Sequence, residues 1–267
     1  MLYYGKMLCE GKGVEKNEEE ALKYFKMAAD EGVSNAMNEY NLVLENINKR
    51  KELKEYKDKA DNGDIEMMIL YSDKLSDIKN LSDEDKNSIF YYYKMAADKD
   101  DTIGIYKYGK ELFLQSRKEE SIQYFKIAAD RGNISSIICY ASILANGDGT
   151  PKNLIEAARY TKIAADLGDS TALYWYAKML FNGDGVEKNI EESAKYFKIA
   201  ADGGNADAMG MYGKMLCDGV GVEKNEENAL KYLKMAIDNG NISVRSYYMR
   251  LKTGCLISWI IIFFLIS

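Results

Sequence analysis

Enzymes working near neutral pH most often recruit histidine, cysteine or closely spaced carboxylates, and this chain has no histidine. Histidine is the side chain whose unperturbed pKa lies nearest neutrality, and the commonest metal ligand. Ser–His and Cys–His nucleophiles, imidazole-ligated zinc and His-ligated haem are therefore excluded. The four cysteines, Cys9, Cys139, Cys217 and Cys255, form no CxxC pair. They read as small buried hydrophobes of a reducing compartment, with a disulfide framework or metal site as the alternative. Carboxylate chemistry stays open, with Asp148 and Asp184 between loop glycines as its candidates. Short polar side chains suit tight turns equally well. The expectation is a protein without catalytic, cofactor or metal residues; a histidine-independent hydrolase is the alternative.

Composition points the same way. Of 267 residues, 47% are hydrophobic and 29% charged, enough for a sizeable core beneath charged helix faces rather than a disordered chain. The formal net charge of −6 gives no basic footprint for nucleic acid, so none is expected as a partner.

The elements that would position any site repeat along the chain. GVEKNEEEALKYFKMAAD, from Gly13, returns as GVEKNIEESAKYFKIAAD from Gly185 and GVEKNEENALKYLKMAID from Gly221. The triplet that closes this segment ends at Asp30, Asp61, Asp98, Asp130, Asp166, Asp202 and Asp238, with spacings of 31, 37, 32, 36, 36 and 36. A second marker keeps step with it: Tyr4, Tyr40, Tyr71, Tyr108, Tyr140, Tyr176, Tyr212 and Tyr248. A fixed period of this size means an array of supersecondary units.

Each unit reads as two helices. In the first, Ala208, Tyr212, Met215 and Leu216 share one face. In the second, Ala21, Tyr24, Phe25 and Ala28 do. A small residue follows the marker tyrosine in most copies, as in Gly5, Ala141 and Gly213, which predicts close helix approach. The joining loop GxGVxKN supplies a glycine to end the first helix and an asparagine to cap the second. Asn17 with Glu20, Asn153 with Glu156 and Asn189 with Glu192 form a capping-box-like pattern. Residues 41–61 and 99–130 lack that loop, so shorter, differently shaped connections are expected there. No strand-like alternation occurs, and the fold class is all-α.

The combination A-x-x-Y-G-x-M-L, G-x-G-V-x-K-N and E-x-A-x-K-Y-F-K-x-A-A-D resembles the Sel-1-like repeat, a relative of the tetratricopeptide repeat. The likeness runs over residues 1 to about 252 and is closest over 133–240 and 1–32. It implies a right-handed α-solenoid of antiparallel helix pairs, about seven units, serving as a non-enzymatic scaffold or adaptor for a protein or peptide partner. Some family members act in endoplasmic-reticulum quality control, which stands as an alternative setting. Met1 aligns with Gly210 of a later copy, so the first unit begins part-way through its first helix.

Repeated positions of a solenoid form its core, and recognition falls to the variable ones. Just before the marker tyrosine stand Lys107 and Trp175, each preceded by another tyrosine: Tyr106 with Lys107 and Tyr174 with Trp175 are the aromatic-rich candidates. Two residues after it stand Lys6, Lys110, Ser142, Lys178, Lys214 and Arg250. These predict a cationic row for an acidic peptide, with Lys110, Lys178 and Lys214 as candidate binders, against the alternative of a solvated face.

The solenoid domain is expected over 1–252 and an apolar tail over 253–267. Cys255 to Ile266 spans about 18 Å as a helix, short of the ~30 Å hydrocarbon layer. A short membrane anchor, an apolar plug on the last repeat and a reading-frame artefact compete for this tail. The N-terminus shows no secretory pattern, which predicts a cytoplasmic protein, tail-anchored if the anchor reading holds.

Overall fold

The computed structural model describes residues 1–78 and 81–253. Thirteen α-helices follow one another there: α1 (Leu2–Glu10), α2 (Glu18–Asp30), α3 (Ala36–Asp61), α4 (Ile65–Ser76), α5 (Asp83–Asp98), α6 (Thr102–Leu114), α7 (Lys118–Asp130), α8 (Ile134–Asn146), α9 (Leu154–Asp166), α10 (Ser170–Asn182), α11 (Ile190–Asp202), α12 (Ala206–Asp218) and α13 (Glu226–Asp238). A 3₁₀ turn (Ile242–Val244) leads into a last helical stretch, 245–253. No strand occurs among the described residues. The chain divides into two compact units, Met1–Gly104 and Ile105–Ser267. The membrane-anchor, plug and artefact readings of the tail fall on 254–267, outside the described residues.

Within the second unit, α8/α9, α10/α11 and α12/α13 are hairpins of a first (A) and second (B) helix. Each stacks on the next, α9 on α10 and α11 on α12. One aromatic contact marks each hairpin. The marker tyrosine meets a B-helix tyrosine edge-on, with ring centroids 4.8 Å apart for Tyr140–Tyr160, 4.9 Å for Tyr176–Tyr196 and 4.9 Å for Tyr212–Tyr232. This edge-to-face geometry suits the ring quadrupoles. The small residue after the marker permits the approach: a Cβ on Gly213 would lie 2.9 Å from Leu233.

The loop chemistry is local. Asn189 Oδ1 accepts the Glu192 backbone N–H at 3.0 Å, and Asn17 and Asn153 cap α2 and α9 in the same way. The reciprocal half of a capping box takes another form. The Asn189 backbone N–H donates to Leu180 O at 2.9 Å, closing the loop, and Glu192 instead accepts from the Asn189 side-chain amide at 3.3 Å.

One stretch departs from the sequence expectation. Residues 41–61 have no connection at all, because α3 runs unbroken for 26 residues. The segment contains neither glycine nor proline and is rich in leucine, glutamate and lysine, so nothing ends the helix. Glu45–Lys49 (2.5 Å), Glu55–Lys59 (2.7 Å) and Lys57–Asp61 (3.0 Å) brace it at i,i+4. In 99–130 the connection is short, as expected, with three residues between α6 and α7.

The closing aspartate of the B helices also has a role. An acid at a helix C-terminus opposes the helix dipole. Here a tyrosine of the next B helix donates to it: Tyr160 to Asp130 at 2.5 Å and Tyr232 to Asp202 at 2.7 Å. Tyr92 donates to Asp61 at the end of α3 in the same way. These bonds hold the Asp61 and Asp130 carboxyls below the usual range, and Lys198 followed by Tyr232 does so for Asp202. Burial, then the aspartate bond, pushes Tyr92 and Tyr232 up to about 12. A tyrosine raised on folding contributes stability in full below its unfolded pKa of about 10, and loses it as pH rises through the folded value. The depressed carboxyls act oppositely: their contribution is full above about 4 and lost as pH falls through their folded values. Urea midpoints followed by circular dichroism are therefore expected to be flat near neutrality and to drop between about pH 10 and 12. Tyr232→Phe should lose part of that alkaline slope. An unchanged slope would show that the Tyr232–Asp202 bond contributes nothing to it.

Candidate functional site

The two loop carboxylates singled out from the sequence both have partners. Asp148 pairs with Lys118 Nζ at 3.1 Å, tying its loop to the preceding B helix. Asp184 accepts from the Asn182 side-chain amide at 2.9 Å. Among the described residues, no group of three or more Cys, Asp or Glu side chains is placed to hold a metal ion. Cys9, Cys139 and Cys217 are free thiols, and burial pushes Cys9 and Cys139 upward, away from the reactive thiolate.

The variable positions lie elsewhere, on the A-helix face. The position two after the marker tyrosine meets the position one before the next marker. Lys214 Nζ of α12 sits 5.0 Å from the Tyr247 ring centroid, and the Arg250 guanidinium lies 4.7 Å from the same ring. In the first unit Lys6 uses the same register to pair with Glu39 at 2.7 Å. Lys178 of α10 turns instead over its own helix, 4.5 Å from the Trp175 ring and 5.7 Å from that of Tyr174. Such cation–π contacts draw each ammonium group over the face of a ring. Lys110 of α6 is exposed. It lies near enough to Cys139 of α8 to offset part of the rise in that thiol.

The aromatic candidates divide by depth. Tyr106 and Tyr174 are half-buried, packed on Phe125 (6.2 Å) and Phe197 (5.8 Å), and burial raises both phenols. Trp175 is 49% exposed. Lys107, beside Tyr106, is half-buried and has its own partner. The Tyr106/Lys107 pair on α6 and the Tyr174/Trp175 pair on α10 are not brought together, because α8 comes between them in the stack.

Between α8 and α10 the same face opens into a pocket of about 240 Å³. Its walls are largely apolar, with Ile138 and Ala145 on one side and Ala172, Trp175 and Met179 on the other, and Asn146 adds an amide on the α8 side. Thr161 of α9 lies beneath, its hydroxyl donating to Ala157 O at 2.8 Å. Ser142 lines it as well.

The sequence model of the Sel1 repeat matches residues 1–33, 90–101, 104–133, 140–169, 170–205 and 206–241, well over half of the chain. The chain belongs to the Sel1 repeat family. The matches pass over 34–89, which contains the continuous helix α3. A Sel1 repeat protein from Oxalobacter formigenes is 26% identical, with a TM-score of 0.61 over 68% of this chain and 75% of that one. A protective antigen of uropathogenic Escherichia coli displaying an SLR fold is 17% identical, with a TM-score of 0.67 over 92% of this chain. This chain spans 55% of that antigen. No curated protein matches.

The Sel1 repeats thus form an all-α solenoid of the kind that presents side chains for protein partners, a class of scaffolds that is typically non-enzymatic. No helix among the described residues is long and apolar enough to cross a membrane. Sequence reasoning missed two features of this Sel1 face. Glu111 of α6 stands where Ile143, Met179 and Met215 stand in later repeats. It is half-buried, and burial raises its carboxyl pKa while Lys110 and Lys107 oppose the rise. The α8–α10 pocket was the other. Its signal was present as departures from the repeat pattern at Ile138, Ala145 and Thr161, but only packing shows that they converge.

Proposed function

We propose that this Sel1 repeat protein is a non-enzymatic adaptor that holds an acidic peptide segment of a partner protein along the A-helix face of its second unit. The observation that carries the reading is the set of cations at one repeat position, Lys110, Lys178 and Lys214, the last two drawn over aromatic rings. A repeated charge at a repeated position gives an extended ligand several weak contacts in register. Trp175, half-exposed among them, supplies an apolar contact of the type that anchors interfaces.

The charge-reversed triple variant Lys110→Glu, Lys178→Glu, Lys214→Glu tests this. Fluorescence anisotropy with a labelled deca-glutamate peptide should show binding to the wild type that weakens with salt. Affinity should fall by roughly tenfold or more in the variant, since each exposed ion pair contributes up to about 1 kcal/mol. Equal affinities would overturn the reading.

A further inference from the structure

We propose that the pocket between α8 and α10 is an anchor site for a single aromatic side chain of the acidic partner segment; the proposal rests on the peptide-binding reading above. The pocket exists because three large side chains are missing from one repeat. In the α6/α7 repeat this place is filled by Tyr106, Phe113 and Phe125, with Phe125 in ring contact with the other two at 6.2 and 6.3 Å. In the α10/α11 repeat it is occupied by Tyr174, Phe181 and Phe197, Tyr174 lying 5.8 Å from Phe197. The corresponding residues of α8/α9 are Ile138, Ala145 and Thr161.

The α12/α13 repeat shows what compensation looks like. There Gly210 replaces the large residue, and Val244 from the next element moves in, so close that a Cβ on Gly210 would lie 2.8 Å from it. Ala172 stands at the place of Val244 two repeats earlier and is too small to do the same for α8/α9. The gap is left for something from outside.

Its chemistry defines the occupant. At about 240 Å³ it is smaller than the ~300 Å³ lower bound typical of small-molecule sites, and the space is one that aromatic rings fill in neighbouring repeats. Its floor makes no polar demand, because the Thr161 hydroxyl is satisfied within its own helix. At the rim, Ser142 replaces the cation of the row, so no charge covers the mouth on the α8 side. Lys178 stands on the α10 side over Trp175. An aromatic residue flanked by carboxylates fits both halves, ring inside and charge outside.

Two acetylated, amidated pentapeptides, Glu-Glu-Phe-Glu-Glu and Glu-Glu-Ala-Glu-Glu, titrated by calorimetry, provide the test. The phenylalanine peptide should bind at least about tenfold tighter to the full chain, the gain expected for burying an aromatic side chain. Thr161→Phe, which supplies the ring that neighbouring repeats carry, should erase that difference and leave the weaker charge-driven binding intact. Ala145→Phe serves the same purpose if the first variant does not fold. Lys178→Glu should weaken both peptides alike. Equal binding of both peptides to the wild type overturns the anchor pocket and leaves the cationic face standing; binding of neither overturns both. A change of oligomeric state on Thr161→Phe, seen by light scattering, would assign the pocket to a second copy and overturn the proposal.

Discussion

Gly185→Ala is expected to destabilise the second unit by about 2–5 kcal/mol, one of the largest losses from adding a single methyl group anywhere in the described chain. Two effects combine. Gly185 has φ +73°, where an L side chain costs roughly 1–2 kcal/mol. Its added Cβ would also lie 2.0 Å from Leu154 O and 2.3 Å from Leu154 C, at the start of the preceding B helix. Backbone cannot swing aside as a flexible side chain does, so the loop must leave its seat on α9, and overpacking of this kind costs a further 1–3 kcal/mol or so. The control lies in the same motif. Gly13 has nearly the same φ, +74°, but its nearest neighbour is the Met7 methyl at 3.5 Å. Gly13→Ala should therefore cost only the conformational part, about 1–2 kcal/mol. Thermal unfolding read by circular dichroism should show a Tm loss of roughly 10 °C for Gly185→Ala and a few degrees for Gly13→Ala. Equal losses would show that the docking of one repeat on the next contributes nothing at this glycine.

Phe197→Ala is expected to cost about 3–5 kcal/mol, the range for removing a fully buried ring. Phe197 is 0% exposed and supports Tyr174 on the A-helix face. Its loss should lower stability and loosen the Tyr174–Trp175 contact together, visible as a urea-midpoint shift and a displaced Trp175 indole resonance. The converse substitution, Thr161→Phe, enters space that is already open and should leave stability unchanged or raise it by about 1 kcal/mol. Opposite signs at equivalent positions of adjacent repeats would show that α8/α9 is underfilled. A loss of several kcal/mol on Thr161→Phe would show that the gap cannot take a ring.

Much of the fold was legible because its determinants act over a few residues. Asn189 marks a helix start because its side chain reaches an N–H three residues away. Gly183 marks a helix end because it enters the left-handed region there, at φ +85°. Repetition of both fixed the helix pairs of the second unit. The misreading at 41–61 has an equally local cause: the period of the array suggested a turn, but no residue there opposes the helix, and local propensity prevailed over repeat analogy. For the candidate surface, the sequence located the cations at Lys110, Lys178 and Lys214 but not the company they keep. Lys214 shares Tyr247 with Arg250, residues more than thirty positions further on.

The sequence alone determined an all-α Sel1 array, the ends of most of its helices and the absence of imidazole chemistry, because capping, helix periodicity and composition are properties of short segments. Only the tertiary structure decided what the second loop glycine is for and where the face opens. Gly185 is required by a carbonyl of the previous repeat, and the pocket is formed by what Ile138, Ala145 and Thr161 fail to fill opposite Ala172. Both depend on surfaces contributed by separate helices, and the shape of the space between them is set by packing rather than by any one stretch of chain.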